Sequence, residues 1–185
     1  MNKTDLRRQY RAARKAFVAA LPKGEREALE RNLAEVVAPA LTLVHMAGSY
    51  AAVGDEIDPM WIEKRIGPHA FPRIAGPDIV FHQAEWSELK PRFQNIPEPP
   101  ATAPVVHPDV LLVPLLAVTL SGMRLGQGRG YYDRALAALR RRQPVLAIGL
   151  AWECQIAPAL VAEPWDMPLD MIATPQRLVD CRKSR

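Results

Sequence analysis

Between residues 109 and 142 the chain runs from an apolar segment through a glycine-rich loop into a helical pattern, and this order restricts the fold more than any other feature. DVLLVPLLAV (109–118) is short and lacks polar alternation, the pattern of a strand covered on both faces, although Pro114 interrupts it. Four glycines and two arginines then fall within the nine residues 122–130, and YYDRALAALRRR (131–142) has helical spacing. Glycine permits positive φ and close approach of N–H groups to an anion, and the following helix adds its positive N-terminal end. The loop is thus a candidate phosphate cradle, to which Arg124 and Arg129 add cationic forks. Gly126, Gly128 and Gly130 read GxGxG followed by Tyr131, so the dinucleotide fingerprint GxGxxG is not met. No Lys-Ser or Lys-Thr follows a glycine, which excludes a Walker A loop. A glycine loop can also be a plain structural turn. Asp133 lies in the first helical turn, where the dipole favours a carboxylate and where it could equally hold magnesium.

Around this unit, strands and helices alternate. The first segment is predicted to be a helix with Leu6, Tyr10, Ala13 and Phe17 on one face and Lys3, Arg7, Arg11 and Arg14 on a neighbouring face. Asn2 or Thr4 would cap it, and Pro22 ends it before a second helix over 25–38. Strands are predicted at 42–50, 70–74, 79–82, 109–118, 145–150 and 171–174. Helices are predicted near 59–65, over 131–142 and near 153–161. The six prolines in 91–108 leave that segment as a loop wrapped along the domain, and the polar tail after Thr174 is expected to fray. Alternation of this kind predicts a three-layer α/β fold: a mostly parallel, Rossmann-like sheet flanked by helices, with two N-terminal helices, in a single domain over 1–185. Its ligand should lie at the carboxyl ends of the strands.

Composition narrows the function classes. At 185 residues one core can bury roughly 70% of the unfolded surface. No apolar run reaches the ~18 residues that cross a bilayer, and no signal peptide follows the basic start, so a cytoplasmic protein without membrane partner is expected. Cys154 and Cys181 have no CxxC spacing, and the four scattered histidines suggest no zinc site. The formal charge of +4 invites a nucleic-acid partner, but aromatics make up only 6% and form no stacking strip among the basic residues. A small, highly charged ligand accounts for the clustering at least as well, and a monomer without nucleic acid is expected.

Several blocks, taken in order, resemble the 5-formyltetrahydrofolate cyclo-ligase (methenyltetrahydrofolate synthetase) family over nearly the whole length. They are KTDLRRQYRAAR at the start, GDEIDPMWI, FPRIAGPDIVFH, IPEPP, DVLLVPLLAVTLSGMRLGQGRGYYDRAL and AIGLAWECQIAPALVAEPWDMPLDMIAT, of which the GYYDR block is the most specific. The resemblance implies an ATP- and magnesium-dependent ligase that closes 5-formyltetrahydrofolate to 5,10-methenyltetrahydrofolate. It implies that Lys3, Arg7 and Arg124 balance the triphosphate. Leu125, Gly126, Gln127, Gly128, Arg129 and Gly130 would cradle it, with Tyr131 and Tyr132 alongside. Glu56 and Ala51 would bind the folate, joined by Gln127, Gly128, Arg129, Gly130 and Tyr131 where ATP and folate meet. Arg124, Arg129 and Tyr131 would serve the chemistry, and Asp133 and Asp166 would hold Mg2+.

The chain departs from the family pattern at Asp58 (commonly threonine), Trp165 (commonly histidine), Val118 and Thr119 (a frequent Phe-Asp pair), Gln127 (tyrosine) and Arg129 (glycine). None removes a charge the chemistry needs. Two other functions stay open at this point. One is the same fold acting on a different small acceptor, favoured by Asp58 and Trp165. The other is RNA binding through Arg11, Arg14 and Arg140 to Arg142.

Overall fold

The computed structural model describes residues 2–184. Four α-helices and twelve strands are present among them: α1 (Lys3–Ala20), α2 (Glu25–Val37), β1 (Ala47–Gly48), α3 (Met60–Glu63), β2 (His69–Ala75), β3 (Asp78–Gln83), β4 (Lys90–Pro91), β5 (Pro97–Glu98), β6 (Val105–Val106), β7 (Val110–Pro114), β8 (Ala117–Val118), β9 (Arg124–Leu125), α4 (Tyr131–Arg140), β10 (Leu146–Leu150), β11 (Met171–Ala173) and β12 (Leu178–Asp180). The central sheet has eight strands in the order β12-β11-β10-β7-β1-β2-β3-β6. Its middle, from β2 to β11, is parallel, and antiparallel strands close both edges.

Side chains alternate across β7 and so define the layers. Leu111 and Val113 face one core with Leu136 and Leu139 of α4, whereas Val110 and Leu112 face the other with Leu33, Ala34 and Val37 of α2. Both faces of this strand are fully apolar because both are covered, as the run lacking alternation requires. The register pairs Leu112 with Ile148 of β10, extending the α2-side core across the sheet.

Helix α1 lies across the carboxyl ends of the sheet. Asn2 Oδ1 accepts the Asp5 N–H at 2.9 Å and caps it. Leu6 and Tyr10 pack on Ala117, Leu125 and Ala157, and the Phe17 ring sits 5.5 Å from that of Trp152. The face predicted from the spacing is therefore the one that docks.

Four expected elements differ. The strand expected over 42–50 shrinks to β1, because the Asp109 carboxylate takes the N–H groups of His45 and Met46 (3.0 Å each) before the ladder begins. The run 109–118 breaks at Pro114, and its second half pairs with β9 in a separate hairpin. The Leu115 and Leu116 carbonyls freed by that break accept from Gln155 Nε2 (2.7 and 3.2 Å). The helix expected over 153–161 is one 3-10 turn, Glu153–Gln155; Ala157 N–H donates instead to Val118 (2.8 Å), and Pro158 supplies no donor for a further turn. The tail is ordered as far as Cys181: β12 pairs antiparallel with β11, and Cys181 is fully buried.

Leu112, fully buried at the sheet centre, sets a test of the core. Leu112→Ala is expected to lose about 2–5 kcal/mol of unfolding free energy in urea titrations monitored by circular dichroism.

Candidate active site

A cleft of about 680 Å³ opens at the carboxyl ends of β1 and β7, where Tyr50, Ala51, Pro114 and Leu115 form its floor. One wall is the glycine loop between β9 and α4 together with α1. Residue spacing places the basic stripe of α1 on this wall. Lys3 Nζ lies 3.0 Å from Asp166 Oδ2 and 3.0 Å from Glu163 Oε2. Arg7 Nε donates to the Gly126 carbonyl (3.0 Å), and Arg11 Nη2 to Gln127 Oε1 (2.6 Å). Arg14, only 5% exposed, donates to the Leu115 carbonyl (3.3 Å) and stands 3.6 Å from both Asp55 and Glu56.

The loop needs its glycines at two positions. Gly128 has φ +100°, and a Cβ there would stand 3.2 Å from the Arg7 guanidinium carbon. Gly130 has φ +65° and begins α4. Among the described residues the N–H groups of 126–130 have no protein acceptor, so five donors at a helix start are left for an anion.

Every residue that the sequence assigned to the site lines this one cleft: Lys3, Arg7, Ala51 and Glu56, the run from Arg124 to Asp133, and Asp166. Arg124 Nη2 is 2.7 Å from Asp133 Oδ1, and that oxygen also accepts the Met167 N–H (3.0 Å). Asp166 Oδ2 accepts the Glu163 N–H (2.9 Å) besides Lys3. Among the described residues each aspartate thus spends one oxygen on the protein and has no protein hydrogen bond on the other. Among the described residues no group of three or more His, Cys, Asp or Glu side chains is arranged to hold a metal. Two half-free carboxylates beside a phosphate cradle suit Mg2+ that arrives on phosphates, since this ion is held by one or two carboxylates plus phosphate oxygens.

Electrostatics follow from burial. Burial pushes the Glu56 carboxyl above its usual range, although the Arg14 charge and the Val53 N–H pull it back. Burial lowers Arg124, opposed by Asp133. For Lys3, burial is outweighed by the Asp166 and Glu163 hydrogen bonds, which hold its pKa up. Burial raises the phenols of Tyr50 and Tyr132, so both are neutral donors at neutral pH.

Other residues of the cleft were not singled out from sequence. The opposite wall is apolar, formed by Pro72, Ile74, Ile79, Phe93 and Ile96, and carries Glu98. The Phe93 ring lies 4.7 Å beneath the Arg129 guanidinium and so joins the walls. Arg11 and Arg14 belonged to the basic stripe, whose i, i+4 spacing was the signal that they share a face with Lys3 and Arg7. Of the departures from the family pattern, Asp58 lies outside the cleft and accepts the Met60 N–H (2.9 Å) in the turn that leads into α3, while Trp165 stands at the rim, 67% exposed.

The sequence profile of a family described as the 5-formyltetrahydrofolate cyclo-ligase family matches residues 1–175. A 5-formyltetrahydrofolate cyclo-ligase of Escherichia coli is 32% identical over 154 residues, covering 76% of this chain and 83% of that one. Its namesake in Mycolicibacterium smegmatis is 28% identical, covering 95% of each chain. The solved 5,10-methenyltetrahydrofolate synthetase of Aquifex aeolicus superposes with a TM-score of 0.82 at 26% identity, covering all of this chain and 95% of that one.

Arg14, 3.6 Å from Glu56, carries the charge that opposes the effect of burial on the Glu56 carboxyl. A 13C NMR titration should place the Glu56 carboxyl above the ordinary carboxylate range, and Arg14→Met should move it further up. A raised folded-state pKa also means that the stability Glu56 contributes is complete below its unfolded pKa and is lost as pH rises through the folded value.

Proposed function

The chain belongs to the 5-formyltetrahydrofolate cyclo-ligase family, and from that premise we propose that it catalyses the ATP- and Mg2+-dependent ring closure of 5-formyltetrahydrofolate to 5,10-methenyltetrahydrofolate, releasing ADP and phosphate. The observation that carries this is the convergence of the phosphate cradle, the basic stripe of α1 and Glu56 on one cleft.

In this reaction the γ-phosphoryl group passes to the formyl oxygen, N10 attacks the formyl carbon, and phosphate leaves as the ring closes. Phosphoryl transfer asks the protein mainly for positioning and charge neutralisation. The N–H groups of Gly126, Gln127, Gly128, Arg129 and Gly130 would take the phosphate oxygens, with Leu125 packed beneath and Lys3, Arg7 and Arg124 balancing their charge. Asp133 and Asp166 would hold Mg2+, which would supply further charge neutralisation around the transferring group. Arg129, stacked on Phe93 of the apolar wall, and Tyr131 would lie where ATP and folate meet. Ala51 and Glu56 would contact the folate; burial favours a protonated Glu56 over a wider pH range than usual, so its carboxyl can donate or accept near the reacting nitrogens.

The alternatives gain little from the geometry. Asp58, a reason to consider another acceptor, is a turn residue outside the cleft. Among the arginines on which RNA binding would depend, Arg14 is buried and Arg140 is paired with Asp170 at 2.7 Å.

Spectrophotometric detection of the methenyl product tests the function. Product should require both ATP and magnesium. Glu56→Gln should lower kcat/KM for the folate by about 100-fold or more, and Asp133→Asn should lower kcat by a similar factor while raising the magnesium requirement. Measurable ATP binding without product would assign the cleft to another acceptor, and an Asp133→Asn enzyme of full activity would remove Asp133 from the metal site.

A further inference from the structure

The apolar wall of the cleft holds one charge, and nothing in the phosphate chemistry uses it. Glu98, on β5, is 6% exposed and lines the cleft among Ile74, Ile79, Phe93, Ile96 and Pro97. Its sole ion pair among the described residues is with Arg73, at 3.8 Å, too long for a hydrogen bond. Arg73 Nη1 is instead committed to the Pro99 carbonyl at 2.7 Å. The Glu98 carboxylate accepts no hydrogen bond from the described residues, and its oxygens are not among the side-chain atoms sealed from solvent, so they stay open to donors from the cleft that Glu98 lines.

Such a group asks for donors from whatever fills the cleft. Flat apolar walls around it suit a fused heterocycle, and two carboxylate oxygens match two parallel N–H donors, as in a bidentate guanidinium pair. The 2-amino group and N3–H of a 2-amino-4-oxopteridine form such a pair. Adenine, the other heterocycle in the reaction, sets the N1 lone pair beside its amino group and would face the carboxylate with an acceptor.

We propose that Glu98 reads the 2-amino and N3–H edge of the substrate's tetrahydropterin ring and is a specificity-determining residue of this enzyme. The assignment rests on the cleft being the folate site. It places the pterin against the β2, β3 and β5 wall, with ATP on the glycine loop opposite and the Arg129 and Phe93 contact between them.

The test compares 5-formyltetrahydrofolate with its 2-desamino-2-methyl analogue, which lacks the amino donor, in the wild type and in Glu98→Gln, with KM for ATP measured in parallel. The wild type should show a KM for the analogue higher by about tenfold or more, the scale of a hydrogen bond to a charged group. Glu98→Gln should raise KM for the natural substrate by a similar factor and bring the two substrates close together, with KM for ATP changed less than about twofold. Discrimination that survives in the folded variant, or a change that falls on ATP, would overturn the assignment. Should the variant fail to fold, the wild type decides: equal KM values for both substrates overturn the assignment alone. A wild-type protein that makes no methenyl product would instead overturn the cyclo-ligase function, and this assignment with it.

Discussion

The docking of α1 across the carboxyl ends of the sheet holds the site together. Four basic side chains on one face of this helix reach residues more than a hundred positions away: Lys3 to Asp166, Arg7 to Gly126, Arg11 to Gln127 and Arg14 to Leu115. Its apolar face supplies the burial that makes this possible, through Leu6, Tyr10 and Phe17. Without the helix, the glycine loop would lose both its cationic backing and the partner of the Gly126 carbonyl.

This arrangement balances charge locally. Arg14 is buried against Asp55 and Glu56 and Arg124 against Asp133, while the partly exposed Lys3 pairs with Asp166 and Glu163. Removing one member of a buried pair strands the other in a low-dielectric site, so single substitutions of Arg14 or Arg124 are expected to be costly. Among the described residues of the cleft the excess positive charge is left to Arg7, Arg11 and Arg129, with the open N–H groups of the loop, at the place where a triphosphate would bring its own negative charge. Opposite them the wall changes character to apolar, and Glu98 is the single charge upon it. A cleft with one wall for an anion and one for a flat ring suits two different substrates held face to face.

Much of this was legible because it is local. Period-four spacing put Lys3, Arg7, Arg11 and Arg14 on one helix face, and glycine density marked the loop. The all-apolar run 110–113 announced a strand covered on both sides. What escaped depends on tertiary partners. The helix expected over 153–161 gave way because Ala157 finds a better acceptor in Val118, and the tail is ordered because β11 offers it an edge. Phe93 and Glu98 lie in a proline-rich stretch whose local pattern says only loop; they become a wall through the pairing of β4 with β5 and the packing of β5 on β2. IPEPP contained the one signal, a carboxylate set among prolines and isoleucine.

The central claim is that α1 and the glycine loop form one triphosphate site, and calorimetric titration of ATP with magnesium tests it on two neighbouring arginines. Arg7 touches the loop, whereas Arg8 points to solvent and pairs with Asp5 on its own helix. Arg7→Ala should weaken ATP binding by about tenfold or more, while Arg8→Ala should stay within about twofold of the wild type. Equal affinities for Arg7→Ala, Arg8→Ala and the wild type would contradict the account.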